Sequence, residues 1–177
     1  PGTPCDDGNA QTSNDVIQNN GCDCQGAIDP PTGDYCESEG DFPYHEWIAG
    51  IQLNDLNNVS GKSSYSDFTN LFASLNTTEN YDLILTTGFS YTTYDEYWKV
   101  WIDYNQNNVF DEPSEIAYSG VLSGIENGTD TGELIGEISV PASALNGTTR
   151  MRVSMQRGSY AAPCGILPFG EVEDYSV

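Results

Sequence analysis

The stretch Asp103-Tyr104-Asn105-Gln106-Asn107-Asn108-Val109-Phe110-Asp111-Glu112-Pro113-Ser114-Glu115 carries oxygen-bearing side chains at positions 1, 3, 5 and 9. That spacing lets a tight loop aim successive oxygens at one centre. Calcium takes about six to eight oxygens in flexible geometry, whereas magnesium keeps most of its water and suits such a loop less. Val109 would add its backbone carbonyl and Glu115 a closing carboxylate. Asn108 stands where loops of this kind usually have Gly, and Asn tolerates left-handed backbone. A strict EF-hand loop ends on a bidentate Glu at position 12. Here that position is Ser114, Glu115 comes one residue later, and β-like runs replace the flanking helices. The expectation is therefore a Ca2+ loop set into a β-fold, with Asp103, Asn105, Asn107, Val109, Asp111 and Glu115 as ligands. The bland alternative is an ion-free Asx-rich turn held by side-chain-to-backbone bonds. A second candidate near the N-terminus comprises Asp6, Asp7, Asn9 and Asp15, residues that would equally serve a simple Asp-Gly turn.

Other reactive groups are scarce. His45 is the single His, and it stands before Trp47 at the start of a β-like run with no nucleophile arrangement beside it, so a structural role is expected. Carboxylates are plentiful, but the sequence singles out no pair held in apolar surroundings, and a hydrolase is the weakest of the function classes. Asp plus Glu number 27 and Lys plus Arg number 5, a formal net charge of 5 − 27 = −22. Five cations cannot build the basic stripe that phosphate contacts need, nor draw the chain to an anionic membrane. No run of about 18 apolar residues is present, so membrane insertion by a helix is not expected. The chain is not a disordered acidic tail either, because 11 Tyr, 6 Phe and 3 Trp supply material for a core.

Of the five cysteines, Cys5, Cys22 and Cys24 lie in the first 24 residues, amid Gly, Asn and Asp that could build no core alone. Disulfides are the usual staples of such segments outside the cell. A zinc site is a poor fit, because Cys22-Asp23-Cys24 leaves one spacer residue and no His is near. An odd count leaves one thiol free or bonded to another chain. Pro1 reads as a mature or excised start, and sequons occur at Asn58, Asn76, Asn127 and Asn146.

Residues 1–29 read as a turn-rich, loop-like appendage, and 30–33 as a short stiff Pro-containing linker. From Asp34 short β-like runs recur between turn residues: Tyr44–Leu53, Tyr81–Thr87, Tyr97–Asp103, Glu115–Leu122, Glu133–Val140, Thr148–Gln156 and Glu171–Val177. Seven such runs predict an all-β domain over 34–177, a two-sheet antiparallel sandwich of Ig-like or jelly-roll-like type. In the first run Trp47, Ala49, Ile51 and Leu53 alternate and should share a face. Tyr65–Leu75 could hold one helical turn. Trp98 and Trp101 point to opposite faces of one strand, so one should fill the core and the other is free to form a sugar-stacking or packing platform. Glu171 and Glu173 share one strand face, Arg150 and Arg152 another, and with so few cations a cross-strand charge ladder between them is expected. A functional alternative is an acidic ligand or second calcium site at Glu173 and Asp174.

The C-terminal Gly170-Glu171-Val172-Glu173-Asp174-Tyr175-Ser176-Val177 is the sharpest motif in the chain. With Tyr35-Cys36, Ser60-Gly61, Tyr65-Ser66-Asp67-Phe68-Thr69, Trp101-Ile102-Asp103-Tyr104-Asn105 and Thr149-Arg150-Met151-Arg152-Val153 in order, residues 34–177 resemble the GEVED domain. The resemblance implies a β-sandwich module of secreted or surface proteins of Bacteroidetes-type bacteria. The appendage resembles a short C-D-D-G…N-D…C-x-C-x-G unit of such proteins, in which Gln11 replaces one usual Cys. That leaves one pair among Cys5, Cys22 and Cys24, and favours a disulfide between Cys36 and Cys164, worth on the order of 4 kcal/mol by chain entropy.

Three functions are weighed. The leading one is a secreted, non-enzymatic, calcium-stabilised structural or adhesive module of the cell surface or extracellular matrix. Its partners would be other extracellular proteins or copies of itself, and in its sharper form it is a self-assembling filament subunit. The alternative is a carbohydrate-binding module from a larger secreted hydrolase, with glycans as partners. The third is an independent hydrolase.

Overall fold

The structure is a computed structural model that describes residues 34–42 and 44–177, together with the backbone of strands β1 (Thr12–Gln18) and β2 (Asp23–Ile28). The chain divides into two units, Pro1–Asp34 and Tyr35–Val177. In the first unit β1 and β2 pair antiparallel, with an irregularity between Ser13 and Val16. This corrects the loop-only reading of the appendage. Cys5, Cys22 and the side chain of Cys24, the second calcium candidate at Asp6, Asp7, Asn9 and the side chain of Asp15, and the linker 30–33 lie outside the described residues.

The second unit is all-β. Its strands are β3 (Ser38–Gly40), β4 (Glu46–Leu53), β5 (Leu56–Val59), β6 (Tyr65–Phe72), β7 (Asn80–Phe89) and β8 (Glu96–Ile102). They continue with β9 (Ile116–Leu122), β10 (Thr131–Ser139), β11 (Arg150–Arg157), β12 (Gly165–Leu167) and β13 (Gly170–Ser176). A four-stranded sheet in the order β10-β7-β4-β5 packs on a five-stranded sheet in the order β6-β13-β11-β8-β9, and β12 and β3 form a small pair. The fold is the expected sandwich, but β13–β6 and β12–β3 are parallel pairs.

Alternation builds the core. Leu83 and Leu85 of β7 point inward against Trp98, Val100 and Ile102 of β8 and Met151, Val153 and Met155 of β11, all essentially without exposure. Each such side chain removes apolar area worth about 1.5–3 kcal/mol from water. β4 departs from strict alternation. Its register with β7 shifts between Ile48 and Gly50, so Glu46 and Ile48 face inward before the bulge and Ile51 and Leu53 after it. Trp47 and Ala49 are half-buried and do not share the core face, which corrects the expected Trp47–Leu53 stripe.

Tyr65–Leu75 is not helical. Tyr65–Phe68 runs parallel to Val172–Tyr175, and then the register jumps so that Phe72 pairs with Ser176. The Asp67 carboxylate accepts from the Thr69 amide at 2.9 Å and hydroxyl at 2.7 Å where the strand bulges. The inserted residues give Phe68, Leu71 and Leu75 their helix-like spacing.

The five-stranded sheet is covered on both faces. Outside it lies a second cluster of Trp101, Phe110, Ala161, Leu167 and Val172. Trp98 and Trp101 are both 0% exposed, so neither is the sugar-stacking platform.

Candidate metal centre and the acidic strand beside it

β8 delivers Asp103 to the outer face of the five-stranded sheet with no exposure. Its carboxylate gathers the chain that follows: Oδ1 accepts from the Asn107 amide at 3.1 Å and Oδ2 from the Asn108 amide at 2.9 Å. Asn105 Oδ1 accepts from the Asn107 amide at 3.0 Å, and Asn107 Oδ1 from the Val109 amide at 2.8 Å. Asp111 Oδ2 takes the side-chain amides of Asn105 at 3.1 Å and Asn107 at 3.0 Å. Glu115 closes the base, with Oε1 on the Asn105 amide at 3.2 Å and Oε2 on the Asp111 amide at 2.8 Å. Asn108 is left-handed at φ 63° as expected, and so is Gln106 at φ 57°.

The residues expected as ligands are thus brought into one loop, with oxygen the only hard donor they offer. Asp103, Asp111 and Glu115 do not by themselves gather as a metal site, so a cation here would depend also on the Asn oxygens and the Val109 carbonyl. The donor chemistry suits calcium. Burial, opposed by the two backbone amides, pushes the Glu115 carboxyl above its usual range, and the charges of Asp103 and Asp111 push the same way.

Residues that the sequence did not single out fasten this loop to the sheet. Tyr35 donates its hydroxyl to Asp103 Oδ2 at 2.6 Å, and Thr149 donates to the Asp103 carbonyl at 2.7 Å. Burial and that carboxylate together hold the Tyr35 hydroxyl well above its ordinary range. Phe110 packs on Tyr35 with ring centroids 5.1 Å apart and on Trp101 at 6.3 Å. A lone Phe in a polar loop was the available signal for this anchor.

β13 lies on the same sheet, and every one of its residues is buried. Gly170 opens it at φ 127°, where a Cβ would run into the Met155 carbonyl oxygen. This is one backbone position where only Gly fits. Val172 and Asp174 then face outward, while Glu171, Glu173 and Tyr175 face the core, opposite Met155, Val153 and Met151.

The expected ladder of Arg150 and Arg152 with Glu171 and Glu173 is therefore not formed. Antiparallel register sets Arg152 opposite Asp174, on the face away from both glutamates. Arg152 forks onto Asp174, Nε to Oδ1 at 2.7 Å and Nη2 to Oδ2 at 2.8 Å. Its Nη1 donates to the carbonyls of Cys36 and Pro163, each at 2.8 Å. Arg150 reaches Asp174 Oδ2 at 3.2 Å, and the Tyr65 hydroxyl donates to the same oxygen at 3.1 Å. Cys36 and Cys164 are joined as a disulfide, so Arg152 grips the chain on both sides of that bridge.

Glu171 is held by the Ile48 amide at 3.1 Å and the Ser66 hydroxyl at 3.3 Å. Glu173 accepts from the Tyr175 hydroxyl at 2.7 Å, which in turn accepts from Asn58 Nδ2 at 2.8 Å. Burial is the main cause that pushes Glu171 up to about 8 and Glu173 up to about 7; the charge of Glu173 adds to the effect on Glu171. The fold thus contains carboxylates held in apolar surroundings that the sequence did not announce. His45 is exposed, with its ring stacked 5.9 Å from Phe42.

An all-β sandwich with an oxygen-lined loop at the end of one strand and a buried acidic C-terminal strand defines the class of module. Residues 97–177, from Tyr97 in β8 through β13, match the family model of the GEVED domain. No curated protein and no solved structure matches the chain.

Proposed function

We propose that this chain is an extracellular, non-enzymatic structural or adhesive module, stabilised by calcium in the Asp103–Glu115 loop. The observation that carries the reading is the loop itself, whose oxygen-bearing side chains are fastened to the sheet through Tyr35 and Thr149. The GEVED match and the Cys36–Cys164 disulfide agree with a secreted setting. No helix among the described residues is long and apolar enough to cross a membrane.

Thermal unfolding with and without chelator tests the calcium claim. At calcium about 100-fold above Kd the expected stabilisation is about 2.7 kcal/mol, so EDTA should lower the melting temperature by about 5–10 °C. A melt that EDTA leaves unchanged removes the claim. Negative-stain microscopy checks the filament form of the reading.

One observation favours a second reading, glycan binding. A cavity of about 600 Å³ is lined by Tyr35, Tyr65, Arg150, Glu37, Glu39 and Ile166. Monodisperse monomers together with a positive glycan array would select it over assembly.

A further inference from the structure

Glu46 and Glu96 are both 0% exposed, and neither oxygen of either carboxylate has a hydrogen-bond partner among the described residues. They differ in this from Glu171, which the Ile48 amide and Ser66 satisfy. Glu46 opens β4 on the inner face, paired with Phe89, and Glu96 opens β8 on the inner face, between Leu122 and Arg157. They therefore face the interior from opposite sheets, near enough for the charge of Glu46 to act on Glu96. Each is pushed above the usual carboxylate range, by burial first, and for Glu96, which reaches about 8, next by the charge of Glu46.

Thr87 pairs with Ile48, two residues from Glu46 on the same face; its hydroxyl is also fully buried and without a partner. The charged neighbours are Arg157, His45 and Asp95. The charge of Arg157 favours the ionised form of both carboxylates without overcoming their burial. Its guanidinium is stacked 3.7 Å over Tyr94 and 4.8 Å from Phe169 and makes no ion pair with a described residue.

Buried polar groups are nearly always satisfied, and unpaired buried charge is costly. A proton shared between the two carboxyls would offset part of the charge but leave their outer oxygens and the Thr87 hydroxyl unpartnered among the described residues. An oxygen-seeking cation answers both needs at once. We propose that Glu46, Glu96 and the Thr87 hydroxyl form an internal divalent-cation site, separate from the Asp103 loop. Glu96 and Asp103 stand seven residues apart along β8, about 23 Å at the strand rise, so the two sites lie at opposite ends of one strand.

The test is calcium titration by calorimetry on the full chain. With the loop silenced by Asp103→Asn and Asp111→Asn, one bound calcium should remain, and adding Glu46→Gln and Glu96→Gln should abolish it. A loop-silenced chain that folds and binds no calcium overturns the proposal. If the loop does not bind calcium, the unmodified and loop-silenced chains will both bind one ion, still lost in the glutamine variant, so the two claims fail separately. Should the variants not fold, crystals of the unmodified chain grown with Mn2+ decide by anomalous scattering. A peak between Glu46 and Glu96 supports the site, and its absence there overturns it.

Discussion

The Asp103 loop and the β13 strand are both rich in acid and lie on one sheet, yet they treat their carboxylates in opposite ways. In the loop, backbone amides converge on Asp103 and Glu115, and the side chains of Asn105, Asn107 and Asp111 meet at one point. In β13 the pleat sorts the acids instead. Asp174 goes outward to Arg152, while Glu171 and Glu173 go inward, where burial raises them. The same functional group becomes a loop organiser, half of an ion pair or a near-neutral core residue, according to the face and partners that the backbone assigns.

The largest effect should come from the bridge that frames both regions. Replacing Cys36 and Cys164 by Ser frees a loop of separation 128 and should cost about 4–5 kcal/mol, read by chemical denaturation. A loss under 1 kcal/mol would show that the Arg152 contacts hold the frame alone. Next, Arg152→Ala should cost about 3 kcal/mol, because it takes the fork from buried Asp174 and leaves only Arg150 and Tyr65 on its Oδ2. Arg152→Lys should recover only part of this, since it cannot fork or reach both carbonyls. Full recovery would mean that only the charge matters.

A subtler effect separates the inward acids from the outward one. Glu171 ordinarily titrates near 4.5 and in the fold near 8, so between those values the folded state holds more protons. Its contribution is complete below about 4.5 and drains away as pH rises to about 8. Glu171→Gln should therefore match the parent at pH 5 and exceed it in stability at pH 9. A difference that stays constant with pH would contradict the buried-acid account.

Much of this was legible in the sequence. Short alternating runs give the sandwich, and the loop's 1, 3, 5, 9 spacing marks the residues that come together. Other features were hidden for physical reasons. The bulge at Ile48–Gly50 switches the faces of β4, and the register jump near Phe72 lends a strand the spacing of a helix. The partner of Arg152 depends on strand register, which residue types alone leave open. The burial of Glu46, Glu96, Glu171 and Glu173 depends on the opposite sheet, which residue types do not place, and Tyr35 reaches Asp103 across 68 residues of chain.

Calcium stoichiometry by calorimetry, comparing the unmodified chain with Asp103→Asn, tests the proposed loop site most directly. The account predicts that the substitution removes one bound calcium while the fold persists. Equal numbers of bound calcium in the two proteins, or none in either, would contradict it.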